Sequence, residues 1–204
     1  MSVLVLRLLL RWPVVVLYRL CPPGTRALID ADVARWFEVF SWGSTSTERG
    51  LVRLFGHRTH EFRNVFYYRL DRTSTVFKAL SHLVRRFYPG ERTLFVRADE
   101  IGPGLFIQHG FATTNGARKI GRNCWINQQV TIGHVYDRGA PVIGDDVTIS
   151  AGAIVAGGVT IGDGARIGAN TTVVKDVPPG AVAVGAGMRL LNQPGAPSLG
   201  EKTV

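Results

Sequence analysis

Histidine is the side chain best suited to moving protons near neutral pH, and the five histidines of this 204-residue chain fall into two groups. His57, His60 and His82 lie in a stretch with helical patterning; His109 and His134 lie in a stretch with a six-residue period. The three-residue spacing of His57 and His60 suits a metal pair, but no third ligand is placed nearby. His82 adjoins an apolar helical face and reads as structural. His109 is the third residue of the unit Ile107-Gln-His-Gly-Phe-Ala, an outward position beside a corner and directly before an irregularity in the repeat. A neutral imidazole, with an ordinary pKa of about 6.5, can take a proton from a hydroxyl, and a positioned general base contributes roughly 10²–10⁴-fold in rate. On spacing alone, His109 as base and His109 as the cap of a turn stand equally open.

The element that must position these residues announces itself from Ile143 to Val177. There the chain runs Ile143-Gly-Asp-Asp-Val-Thr, Ile149-Ser-Ala-Gly-Ala-Ile, Val155-Ala-Gly-Gly-Val-Thr, Ile161-Gly-Asp-Gly-Ala-Arg, Ile167-Gly-Ala-Asn-Thr-Thr and Val173-Val-Lys-Asp-Val-Pro. A period of six fits neither a helix nor an alternating strand, and instead describes a short strand and a turn recurring around a coil. Three units make one triangular turn of a solenoid, with the opening Ile or Val stacked on its counterpart a coil away and Gly, Asp or Asn at the corners. Earlier openers fall at Ile101, Ile107, Ile120, Ile126 and Ile132, so about four coils are expected. The thirteen residues from Ile107 to Ile120 predict a one-residue bulge, and the eleven from Ile132 to Ile143 predict a loop at His134–Ala140. Irregularities of this kind are where chemistry is placed on a regular scaffold.

Upstream, 26–41 and 47–56 are predicted helical. Two amphipathic helices follow, with Phe62, Val65, Phe66 and Leu70 on one face and Val76, Phe77, Leu80, Leu83, Val84 and Phe87 on another; both stripes read as core-forming. The organisation expected is a helical region at 1–94, a solenoid at 95–177 and a C-terminal tail at 178–204. Residues 1–97 hold 16 Lys and Arg against 7 Asp and Glu, whereas 98–204 hold 8 against 8. The basic half reads as a solvated helical face, with an anionic membrane surface next; nucleic acid is disfavoured because the arginines form no dense run or stacking platform. The first twenty residues are apolar but broken by Arg7, Arg11, Pro13 and Arg19, which suits an interfacial or oligomer-docking segment better than a membrane span. No small-residue cleavage site follows, so the cytoplasm is the expected compartment, with membrane association through the N-terminus. Cys21 and Cys124 are too few and too far apart for a disulfide framework, and Cys124 falls at a small inward position, where burial is expected.

Ile107-Gln-His109-Gly, Val130-Thr-Ile-Gly133, the Ala-Pro141-Val-Ile-Gly-Asp that closes the extruded loop, and Val173-Val-Lys-Asp-Val-Pro-Pro-Gly together resemble the serine acetyltransferase branch of the hexapeptide-repeat acyltransferases. The resemblance covers about residues 60–191. It implies a left-handed parallel β-helix preceded by an α-helical N-terminal region, and an acyltransferase that moves acetyl from acetyl-CoA to an acceptor hydroxyl without a metal. It also implies a homotrimer, or a dimer of trimers, with sites between adjacent solenoids. His109 matches the catalytic base. Gln128, Gly133, His134, Ala151, Gly152, Ala169 and Lys175 match positions along the CoA groove, Lys175 as a point charge for phosphate. Coil faces rich in Ile, Val and Ala independently favour burial against copies.

Four positions depart from the family pattern. The aspartate that orients the base fifteen residues upstream is Leu94 here, which leaves Asp99, Glu100 or a backbone carbonyl to orient His109. The aspartate that grips the serine ammonium is Gln108, and the loop arginine and histidine are Gly139 and Ala140, with Arg138 one place away. A site selecting a free amino acid should offer charged partners to both its termini. L-serine and a sugar hydroxyl therefore stand as alternative acceptors, and Gln108 and Arg138 as acceptor-binding candidates. A catalytically silent solenoid subunit is the reading from another class; a zinc hydratase on the same scaffold would need three histidines where the solenoid has two.

Overall fold

The computed structural model describes residues 3–185, and their side chains from residue 12 onward. Five helices come first: α1 (Val3–Leu20), α2 (Pro23–Val39), α3 (Thr47–Gly56), α4 (His60–Asp71) and α5 (Thr75–Phe87). Helix α2 begins three residues before the stretch read as helical, because Pro22-Pro23 sets the first helical turn with its fixed φ. Helix α1 lays Val14 and Leu17 on the helical core, with Cys21 buried just beyond it, and turns Trp12, Val16 and Leu20 outward at four-residue spacing. The segment expected to dock elsewhere thus packs its inner face on its own domain. Among the described residues, no helix is long and apolar enough to cross a membrane.

Trp36, Phe55, Phe62 and Phe66 fill the helical core, with Trp36–Phe62 and Phe55–Phe66 edge-to-face at 5.3 and 5.2 Å between centroids. The apolar stripe of α4 is buried as expected. That of α5 is covered only in part: Val84 is buried and Phe77 and Leu80 pack against the core, while Val76, Leu83 and Phe87 remain 66%, 60% and 71% exposed. Helix α5 meets α4 along the edge carrying Ser81 and Val84, where Ser81 and Arg85 both bond the Asp71 carboxylate, and this edge turns the other half of the stripe away from the core. His82 is exposed, its Nδ1 2.6 Å from the Lys78 carbonyl oxygen.

The remainder is a left-handed parallel β-helix of about five turns, one more than the sequence suggests. Its first face stacks β1 (Leu94–Val96), β4 (Thr113–Asn115), β7 (Thr131–Gly133), β10 (Ile154–Ala156) and β13 (Thr172–Val173). The second stacks β2 (Glu100–Ile101), β5 (Lys119–Ile120), β8 (Val142–Ile143) and β11 (Thr160–Ile161). The third stacks β3 (Phe106–Ile107), β6 (Trp125–Ile126), β9 (Thr148–Ile149), β12 (Arg166–Ile167) and β14 (Val182–Ala183). The coils therefore begin at Leu94 and reach past Val177 into the segment read as a tail; residues 186–204 of that tail lie outside the described residues.

The repeat explains this register. Ile120, Ile143 and Ile161 stack in one column and Ile126, Ile149 and Ile167 in another, all with no exposed surface. Cys124 packs inside the coil, where burial pushes its thiol up to about 12. The glycine after an opener is needed because successive coils approach closely there: a Cβ on Gly121 would overlap the Gly144 carbonyl and the Asp145 carboxylate. Gly121→Ala is expected to cost about 1–3 kcal/mol, as overpacking does, read as a lower midpoint in urea or thermal unfolding.

Side chains of α2 and α4 tie the helices to the first coil. Asp32 and Arg69 form a fork-to-fork pair at 2.9 and 3.1 Å with about 2% of each side chain exposed. Asp32 Oδ1 also accepts the N–H groups of Gly104 and Leu105, at 2.8 and 3.2 Å, and Arg69 donates to the carbonyls of Ile101 and Gly102. Trp36 Nε1 donates to the Leu105 carbonyl at 2.9 Å and its ring lies 4.7 Å from that of Phe106. These contacts anchor the turn from which β3 carries the chain to His109.

Candidate active site

His109 lies at the corner between the third and first faces, and this corner is built unlike the others. Ile107 pairs with Ile126, and Thr114 with Thr131. Seven residue steps separate the first pair member from the second in the upper coil, and five in the lower, so the corner carries two extra residues. The next corner is one step short: five from Asn115 to Ile120, against six from Val155 to Ile161. The single-residue bulge inferred from the period is the net of these two changes.

His109 and Ala112 both adopt left-handed backbone, φ 52° and 51°, whereas the equivalent corners below use one such residue each, Gln129, Gly152 and Asn170. Two non-glycine residues in this region carry strain that persists only when their surroundings hold them. The holding groups are side chains. Glu61, in the first turn of α4, accepts the Gly110 N–H at 3.2 Å through Oε1. Thr93 Oγ1 accepts the Ala112 N–H at 2.9 Å while donating to Glu91 Oε1 at 2.8 Å. The Glu91 carboxyl is held below its usual range, chiefly by the Thr93 N–H. A lowered carboxyl stabilises the fold fully above its unfolded value of about 4.3 and loses that contribution as pH falls through the folded one; the pin is therefore intact near neutrality.

The His109 imidazole is exposed and makes no hydrogen bond among the described residues. Neither thiol competes as a nucleophile, since burial pushes Cys21 to about 11 and Cys124 to about 12, and thiolate is the reactive form. Below His109, Gln128, Ala151 and Ala169 occupy the same edge, each two residues past the stacked Ile126, Ile149 and Ile167. Gly152, at φ 71°, belongs to this edge, where a Cβ would overlap the Asn170 side chain.

His134 and Lys175 lie elsewhere, each two residues past Ile132 and Val173 on the first face, at the following corner. Both are exposed; a Cβ on Gly133 would meet nothing within 4 Å, so its backbone faces open space. His134–Ala140 leaves the coil as a short hairpin closed by Val135 and Gly139, with Tyr136 fully exposed and Arg138 on its return. Gln108 Oε1 accepts the Trp125 Nε1–H at 3.2 Å, sharing that donor with Asn127 Oδ1 at 2.8 Å. Glu100 stands on the second face in an exposed pair with Lys119 at 3.4 Å, and the Asp99 backbone carbonyl accepts from Tyr68. Neither carboxylate bonds His109.

The family model described as "Bacterial transferase hexapeptide (six repeats)" matches residues 140–175. A serine acetyltransferase of Bacillus subtilis is 31% identical over 87% of this chain and 79% of its own length. One from Helicobacter pylori is 36% identical over 64% of this chain and 71% of its own. The chain belongs to the serine acetyltransferase family. It is accordingly an acyltransferase. The solved soybean serine acetyltransferase, 30% identical, superimposes with a TM-score of 0.60 over 83% of this chain and 70% of that one; a Neisseria gonorrhoeae serine acetyltransferase in complex with serine gives 26% and 0.56.

Leu94 stands where the resemblance implies an orienting aspartate. It is buried, and its Cδ2 stands 3.0 Å from where a Cβ on Gly110 would project, as does Glu61 Cγ. An apolar side chain thus reaches the His109 corner from β1, and the carboxylate that reaches it comes from α4. Glu61, Thr93, Trp125 and the Asp32–Arg69 pair escaped sequence reading. Glu61 lies 49 positions from Gly110, and no local pattern marks an exposed-looking glutamate at a helix start as a partner of a distant turn.

Proposed function

We propose that this acyltransferase moves acetyl from acetyl-CoA to the hydroxyl of L-serine, with His109 as general base. The observation that carries the reading is the exposed imidazole at an expanded, side-chain-pinned corner, heading an edge whose lower members, Ala151 and Ala169, leave room for an extended thioester. His109 takes the hydroxyl proton as the oxygen attacks the thioester carbonyl. The tetrahedral intermediate then collapses, the C–S bond breaks, and the imidazolium returns its proton to the departing thiolate. Gly152 lets backbone approach the donor on this edge, and Lys175 meets phosphate. Lys175 and His134 stand at a different corner from His109, so a donor site using both sets needs two copies side by side, which favours a homotrimer.

A second acceptor is favoured by a specific observation. Gln108 is neutral and held by Trp125, and Gly139 and Ala140 bring no charge to the loop, so Arg138 is left as the loop's cation for a carboxylate. A neutral sugar hydroxyl suits such a lining. Hydrogen bonds to charged groups contribute about 1.5–3 kcal/mol each, so weak serine binding is expected, with KM at or above the usual upper limit of about 1 mM. Release of CoA thiol measured with L-serine and with neutral sugars decides the acceptor. Greater kcat/KM for a sugar moves the assignment to the second reading, and no release with any hydroxyl acceptor leaves a silent solenoid.

A further inference from the structure

Serine acetyltransferase-type catalysis needs its imidazole held in one orientation, and the position that supplies a carboxylate for this in the family is Leu94 here. We infer that Glu61, on α4, is the positioning residue for His109, acting through the peptide that joins His109 to Gly110. The inference rests on the reading of His109 as the base.

Three features support it. Glu61 Oε1 accepts the Gly110 N–H at 3.2 Å, and this N–H belongs to the same peptide plane as the His109 carbonyl, so the bond sets ψ of His109 and the direction of its side chain. The same carbonyl accepts the Phe111 N–H at 2.6 Å, which closes a tight turn around Gly110 and makes its orientation depend on both bonds. Gly110 is buried between Glu61 and Leu94, whose atoms would crowd any side chain there, so the peptide is packed on one flank by the carboxylate's own stem. A left-handed histidine is a minor backbone state, and in this expanded corner it would relax once the acceptor of the adjoining Gly110 N–H was removed. The helix start also suits the carboxylate, since a negative charge in the first turn of α4 faces the positive end of the helix dipole.

Pinning from α4 differs from the family arrangement in consequence. Position of the base is coupled to the helical region, which the Asp32–Arg69 pair and Trp36 fasten to the first coil a few residues upstream. The groups on either side of His109 are thereby referenced to one rigid body.

The test uses the intact chain with Glu61→Ala and Glu61→Gln. Gln keeps a carbonyl oxygen that can accept the N–H and removes the charge; Ala removes the acceptor. The expected result is faster amide hydrogen exchange at Gly110 in Glu61→Ala, by about tenfold or more, with protection largely restored in Glu61→Gln. Turnover should follow the same order: kcat down roughly 10–100-fold in the alanine variant, as for loss of a residue that orients a catalytic group, KM for acetyl-CoA within about twofold, and kcat within a few-fold of the parent in the glutamine variant. A structural role alone would lower the melting temperature of both variants without this split. Unchanged exchange at Gly110, alanine turnover within twofold of the parent, or a glutamine variant as impaired as the alanine one overturns the proposal while leaving His109 as base. Near-parental turnover in His109→Ala overturns the base reading itself, and the proposal with it.

Discussion

Replacing His109 by asparagine should lower turnover by about 10²–10⁴-fold while leaving the melting temperature and the sedimentation behaviour of the protein close to those of the parent. Asparagine tolerates left-handed backbone better than most residues, and the corner holds φ 52° at this position, so the substitution removes the proton acceptor without adding strain. The imidazole is exposed and bonded to no described group, which leaves little stability for it to contribute. Alanine should give the same kinetic result with a slightly lower melting temperature. Steady-state release of CoA thiol, with thermal melts of the same preparations, separates the two effects. Turnover within tenfold of the parent would show that another group takes the proton.

Arg69→Met should be the most damaging change to stability. It leaves Asp32 buried with its partner gone and strips the Ile101 and Gly102 carbonyls of a donor. Breaking a buried pair from one side costs about 3–5 kcal/mol, which for a chain of this size is a fall in melting temperature on the order of 10 °C. The Asp32→Leu/Arg69→Met double variant should recover part of this loss, because no uncompensated charge remains. Recovery should stay incomplete, since the Gly104 and Leu105 N–H groups lose their acceptor in the double variant as well. Urea unfolding of the two singles and the double reports the coupling directly. A coupling below about 0.5 kcal/mol would mean that the pair acts as two independent residues and not as a clasp.

The two ends of this molecule differ in how far they could be read from residues alone. In the solenoid, every opener has to face inward for the six-residue period to close, and each coil repeats the same local test, so openers, corner glycines and the extruded loop followed from spacing. In the first half, α2 and α3 gave their boundaries to within three residues, because turn residues and apolar spacing act locally, whereas α1 was legible only as an interrupted apolar segment. Which face of α5 would be covered was not legible: its stripe satisfies the same pattern as that of α4, and only the edge chosen by Ser81 and Arg85 toward Asp71 decides that Val76, Leu83 and Phe87 point away. The site behaved similarly. His109 stood out because it sits where the period breaks, yet counting residues could report only the net change across two corners.

By itself the amino-acid sequence determined the parallel coil, the inward columns of isoleucine and valine, the place of His109 and the loop after Ile132, since each follows from a pattern that recurs within one or two coils. The tertiary structure decided that the His109 corner is two residues larger than its neighbours, that His134 and Lys175 occupy another corner, and that a carboxylate arrives from α4 where β1 offers Leu94. Those are relations between segments tens of residues apart, joined by single hydrogen bonds and side-chain volumes. The first two are matters of register between coils, and the third exists only once the helical region has docked on the first coil.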